Sequence, residues 1–200
     1  MPVKSRQAKN AAATRAALLR VARKLFTERG YAETATEEVV RRARVTRGAL
    51  YHHFRDKQDL FKAVLDEEQV KLAASIKAVA ARESDPWRAL MAGCHAFLDA
   101  CLDPSVQQIL LIDSPAVLGW GGCREADAMY YLESVKTAIQ AAIDRRLISP
   151  QPVDALARII LGALNEAAML IAHAEDEQAA RRDVSQVVDK LLGGIRIAGA

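Results

Sequence analysis

The sequence predicts an all-α protein: a small three-helix unit at the amino end, then a larger helical body, about nine helices in total. Three observations predict it. Ala and Leu recur along the 200 residues while aromatic residues make up only 5%, a balance that favours helices over sheets. Apolar residues return at i, i+3/i+4 and i+7 spacing in one segment after another, and no alternating run marks a strand. Gly, Pro and polar clusters fall between these segments, where connections belong. With 51% hydrophobic and 26% charged residues, the chain has the composition of a folded globule.

Residues 1–13 carry Lys4, Arg6 and Lys9 without apolar periodicity, and are expected to be flexible. The first helix is expected from Asn10 or Thr14 to Arg29, with Leu18, Ala22, Leu25 and Phe26 inward and Gly30 as its C′ residue. A short second helix starts near Thr34, where Thr34-x-x-Glu37 fits a capping box and Thr36 is an alternative cap. Thr46 caps a third short helix that turns Leu50 and Phe54 inward. A fourth, from about Lys57 to Arg82, contains no Gly or Pro, and the domain boundary is placed inside it: 11–71 and 72–200. Further helices are expected near 85–102, 105–114, 122–147, 152–174 and 178–197, broken at Asp85-Pro86, Asp103-Pro104, Ser114-Pro115, Gly119–Gly122, Ser149–Pro152 and Glu175–Gln178.

Charge is unevenly placed. Residues 1–62 hold 15 of the 28 Lys and Arg but 6 of the 25 Asp and Glu, a local charge of +9; the rest of the chain carries −6. A basic amino-terminal third on an acidic body is the footprint of a nucleic-acid-binding unit. No apolar run follows the basic start, so no secretory signal is expected. Cys94, Cys101 and Cys123 are odd in number and lack Cys-x-x-Cys spacing, which points to reduced thiols and a cytoplasmic setting. The most apolar stretch, Ala155–Ala172, includes Arg158, Asn165 and Glu166, and reads as a buried helix rather than a membrane span.

The stretch from Thr34 to Lys57, TATEEVVRRARVTRGALYHHFRDK, is helix, tight turn and helix, with a longer helix before it as a brace. The helix-turn-helix proper covers about 34–53. In such a unit the second helix enters the major groove of double-stranded DNA. Thr46 can face a phosphate, and Arg47 can pair bidentately with guanine. Gly48 lets the backbone approach, and Ala49 offers a methyl group to thymine. Tyr51, His52 and His53 can reach phosphates or sugars, although His53 fits a packed aromatic cluster equally well. Lys57 puts a cation at the positive end of a helix dipole, a conflict that a bound phosphate would remove.

LFTERGYAETAT followed by VTRGALYHHFRDKQDLF resembles the amino-terminal signature of TetR-type repressors, over roughly residues 14–65. The resemblance places Thr36, Thr46, Arg47, Gly48, Tyr51, His52, His53 and Lys57 where family members commonly touch DNA. Arg44 stands where the family has a turn Gly, and is expected at positive φ at a cost of about 1 kcal/mol. Val39-Val40 replace the usual Ile-Ala.

The helices near 152–174 and 178–197 are apolar over more than one face. With the resemblance, this predicts a homodimer interface of four helices, built on Ile160, Leu164, Ala167, Ile171, Val184, Val188, Leu191 and Ile195, that spaces two recognition helices for a palindromic operator. Helices between 85 and 147 can enclose a mostly apolar small-molecule cavity. Phe97, Trp120, Tyr130, Tyr131, Asn165 and His173 are its candidate walls, and each also fits a plain core or surface position. Cys94, His95 and Cys101 lack a second ligand pair, so no metal or cofactor is expected. Asp113, Asp127, Glu133 and Glu166 lack a nucleophile–base partner, so no enzyme activity is expected.

Overall fold

The computed structural model describes residues 2–197, and side-chain surroundings from residue 8 onward. Helix α1 spans Pro2–Glu33, α2 Thr36–Ala43, α3 Arg47–His53 and α4 Lys57–Ala80. The body adds α5 (Pro86–Ala100), a π-helical segment Val106–Asp113, α6 (Ser114–Asp127), a π-helical turn Ala128–Leu132, α7 (Glu133–Asp144), α8 (Val153–Ala172) and α9 (Glu177–Gly193). Among the described residues there is no strand, only an isolated bridge between Ile148 and Arg196.

The first helix begins well before the expected Asn10 or Thr14. Pro2 is followed by no helix breaker until Gly30, and Ala8, Ala11, Ala12 and Ala13 are strong helix formers. Gly30, at φ 77°, is where the true helix stops, as its freedom from a Cβ allows.

The expected capping box is absent. Thr34 is buried and donates its hydroxyl to the Gly30 carbonyl oxygen at 2.8 Å, so it tethers the α1–α2 connection instead. Helix α2 has Ala35 as N-cap and no side-chain cap, with Thr36 already inside the helix. Helix α3 is capped as expected: the Thr46 hydroxyl accepts from the Ala49 N–H at 3.1 Å. Arg44 takes the left-handed conformation (φ 56°, ψ 41°) that closes α2. Left-handed backbone costs an L side chain about 1–2 kcal/mol, more than the extra chain entropy of glycine, about 0.5–1 kcal/mol. Arg44→Gly should therefore raise stability by up to about 1 kcal/mol, read as an increase in the urea midpoint at constant m-value.

One core joins α1 to α4 through Leu18, Ala22, Phe26, Val39, Leu50 and Phe61, all completely buried. Ile109, from the π-helical segment of the body, is buried in the same cluster. The amino-terminal unit therefore shares its core with the body, which a boundary inside α4 did not anticipate. The body core runs along α5, α7, α8 and α9.

Helix is continuous through the expected break at Ser114-Pro115. Pro115 lacks a donor for the preceding turn, and the change from π to α register falls at that place. The expected Gly119–Gly122 break is a single kink at Gly119 (φ 70°) inside α6. The expected helix at 122–147 is divided by the π-helical turn.

Helix α8 is long and apolar enough, by length and composition, to cross a membrane, with a mean hydropathy of 1.6. Here one of its faces packs within the body core. Within one chain that packing already covers most of the residues expected at the dimer surface, though not Leu191. Ile160, Leu164, Ala167, Ile171 and Val188 are buried within their own chain. Val184 and Ile195 are half-buried against the same core. The apolar side chains left outside are Ile159, Leu170, Val187 and Leu191, at 68, 55, 55 and 62% exposure. Gly162 and Ala163 lie on the same exposed face of α8.

Candidate nucleic-acid interface and effector cavity

Helix α3 is short, and only Leu50 among its residues is fully buried. Thr46, Arg47, Gly48, Tyr51 and His52 are exposed on it, while Ala49 and His53 are half-buried. The Arg47 guanidinium lies 5.5 Å from the centre of the Tyr51 ring, a cation–π contact that limits its wandering. Glu37 on α2 faces Arg47 at 3.9 Å. Its own backbone N–H and the Thr36 hydroxyl hold the Glu37 carboxyl below its ordinary range, so it stays ionised beside the arginine. This cluster offers a forked donor, an aromatic ring and a carboxylate acceptor to anything that approaches α3. Burial pushes the His53 imidazole down, with His52 and Arg15 adding to it. A neutral His53 against Phe54 and His52 fits the packed aromatic alternative.

Thr36, Tyr51, Arg55 and Lys57 line one open groove between the start of α2 and the start of α4. Lys57 is half-buried there: its ammonium donates to the Ala32 carbonyl oxygen at 3.1 Å and lies 4.3 Å from the centre of the Tyr31 ring. Burial pulls its pKa down. The start of α4 is capped instead by Asp56, whose carboxylate accepts from the Asp59 N–H at 2.7 Å. The dipole conflict is thus answered within the chain by Asp56 and by the stacking of Lys57.

Polar bonds join this unit to the body. The Tyr31 N–H donates to Asp113 at 2.7 Å, Gln58 donates to the Val117 carbonyl oxygen at 3.0 Å, and the Ser105 hydroxyl donates to the buried Glu68 at 3.4 Å, where Lys71 and Arg23 of the unit also pair with that carboxylate. Burial raises the Asp113 pKa against the opposing pull of the Tyr31 N–H, Gln108 and Lys57.

In the body, a cavity of about 160 Å³ opens between α4, α5, α7 and α8. Phe97, Tyr130, Tyr131 and Asn165 line it, as the sequence suggested, together with Ile76, Gly93 and Leu161. A smaller hollow of about 90 Å³ shares Phe97, Tyr131 and Asn165 and adds Trp120, which is 65% exposed. His173 lines neither. It is exposed at the end of α8, where its Nδ1 contacts the Met169 carbonyl oxygen at 2.8 Å. Asp127 lines both hollows. Sequence weighed it only as a catalytic carboxylate; in the fold it meets Asn165 of α8.

A family model described as bacterial regulatory proteins, tetR family, matches residues 18–64, and one described as tetracyclin repressor-like, C-terminal domain, matches 87–195. A crystal structure of a TetR-family transcriptional regulator from Pectobacterium atrosepticum superposes with a TM-score of 0.85, at 36% identity over 94% of this chain and 97% of that one. The chain belongs to the TetR family. TetR-family proteins are transcriptional regulators that bind DNA through a helix-turn-helix and usually act as dimers with small-molecule ligands. The TetC protein of transposon Tn10 from Escherichia coli is 26% identical over 162 residues, 81% of this chain and 82% of its own. The transcriptional repressor BepR of Brucella suis is 40% identical over 70 residues, 32% of this chain and 34% of its own. In this TetR-family chain the likeness thus runs through both the amino-terminal unit and the body. Glu37 is the residue of the α3 surface that sequence reasoning missed. It sits on α2, and only the fold brings it to Arg47.

Proposed function

We propose that the protein is a homodimeric repressor that binds a palindromic operator and is released by a small, mostly apolar effector. In this reading 11–71 is the DNA-binding domain and 72–200 the effector-binding and dimerisation domain. The exposed row Thr46, Arg47, Gly48, Tyr51 and His52 on α3 carries the reading. It sits on a helix that a shared core holds firmly, and it has the residue types that read base edges and grip phosphates. Two such rows, held about 34–36 Å apart, would enter successive major grooves.

Release follows if the effector prefers a conformation with the wrong spacing, because a ligand shifts an equilibrium only by its differential affinity. The cavity lies beside α4, which runs directly into the DNA-binding unit, and Asp113 of the π-helical segment and Val117 of α6 are bonded to the same unit.

The reading is tested by selecting bound fragments from genomic DNA and measuring the selected site. Arg47→Ala should cost about 1–3 kcal/mol of binding and relax preference at one base position of each half-site. Failure to enrich any palindrome, or an Arg47→Ala protein with unchanged affinity and preference, would remove the support for α3 as the reading helix.

A further inference from the structure

The polar groups of the body cavity are unevenly satisfied. Tyr130 donates its hydroxyl to Asp66 at 3.2 Å, and Tyr131 donates its hydroxyl to Gln69. The Asn165 amide donates to Asp127 Oδ2 at 2.6 Å. The Tyr130, Tyr131 and Asn165 donors are therefore engaged within the chain, while the Ser134 hydroxyl and the Lys77 ammonium lie at the exposed edge of the cavity. Acceptors remain. Among the described residues the Asp127 side chain accepts only that one bond, through Oδ2, and no donor meets its Oδ1 or the Asn165 side-chain carbonyl. Asp127 is half-buried, and burial raises its carboxyl pKa against the opposing pull of the Asn165 bond. The rest of the wall is apolar, with Ile76, Leu90, Phe97, Val135 and Leu161. Lys77 is exposed at the rim.

Size narrows the occupant further. A dry protein cavity of about 150 Å³ holds a benzene ring. The main hollow here, at about 160 Å³, has that scale, and the 90 Å³ hollow beyond Asp127 leaves room for a short substituent.

We propose that the effector is a single-ring compound carrying one hydrogen-bond donor, and that Asp127 Oδ1 accepts from it. The inference rests on the effector-cavity reading above. The donor chemistry is shared by a phenolic hydroxyl and a protonated amine. In either case the ring occupies the apolar hollow between α4 and α5 while the donor meets the carboxylate beside Asn165. Asp127 is then the residue that sets effector specificity.

Calorimetry on the full-length protein with four probes tests it: para-ethylphenol, phenethylamine, para-ethylanisole and propylbenzene. At least one of the two donor probes should bind about 10-fold or more tighter than the two donor-free probes, the ratio that one charge-assisted hydrogen bond supplies. Asp127→Leu should erase that preference while propylbenzene still binds. Asp127→Asn should erase it for phenethylamine and keep part of it for para-ethylphenol, which separates the two donor sources. Equal binding of all four probes by the unaltered protein would overturn the role of Asp127 and leave the cavity reading standing. A preference that survives Asp127→Leu would do the same. If none of the four binds, the cavity reading falls and this inference with it. The comparison on the unaltered protein decides even if a variant does not fold.

Discussion

Asp placed at both Ile159 and Leu191 should leave a folded monomer that binds operator at least about 100-fold more weakly, the avidity normally supplied by linking two modules. Both side chains are more than half exposed, and neither belongs to the buried core, so the change within one chain should stay inside the roughly 0.5 kcal/mol expected of surface substitutions. Across a twofold interface the effect is large. Each apolar side chain of this size gains about 1.5–3 kcal/mol when fully buried, and symmetry counts each one twice. Each Asp would instead carry an unpaired charge into an apolar contact. Gly162 and Ala163 on the same face of α8 permit close helix approach. Sedimentation equilibrium gives the mass and fluorescence anisotropy gives the affinity. A variant that stays dimeric would place the subunit contact elsewhere. The neighbouring substitution Ile160→Asp distinguishes the two faces: it puts a charge into a site only 3% exposed, and should unfold the chain rather than split it.

That contrast marks how far the sequence could be read. The helix-turn-helix was legible because its signals are local: a Thr cap, a turn that demands positive φ at Arg44, and apolar residues at fixed offsets from both. The two carboxy-terminal helices were legible as helices, but their rotation was not. Helix α8 has Ile159 beside Ile160 and Leu170 beside Ile171, so its periodicity carries no phase. Which of each pair turns inward is decided by α7 and α9, which pack against it. The Ser114-Pro115 break failed for a related reason. A proline ends a helix only where its missing donor cannot be absorbed, and a π-helical segment before it changes which donor is needed. In the cavity, Phe97, Tyr130, Tyr131 and Asn165 could be guessed from residue type. Asp127 could not, because its role depends on Asn165, 38 positions later in the chain. Ile109 was missed because an apolar residue in one segment gives no sign that it fills the core of another.

Phe61→Ala is expected to lower stability by about 3–5 kcal/mol, the range for a buried aromatic cut back to a methyl group. Phe61 is fully buried, with its ring 5.2 Å from Phe26 and 5.1 Å from Tyr31, edge to face in both cases. It projects from α4 into the space that α1 closes. Tyr31 in turn carries the Lys57 ammonium on its ring and gives its backbone N–H to Asp113. Removing the Phe61 ring therefore opens a cavity under the residue that joins the DNA-binding unit to the body. Two consequences should be separable. Urea unfolding should show the loss of stability directly. Operator binding, measured where the variant remains folded, should weaken because α3 loses its firm seat, and effector should no longer alter that weakened binding to the same extent. Phe61→Leu keeps most of the volume and should cost about 1.5 kcal/mol or less, with coupling largely retained. If Phe61→Ala weakened the fold but left the ratio of operator affinities with and without effector unchanged, the aromatic cluster would be packing alone, and the coupling would have to run through the Gln58–Val117 bond instead.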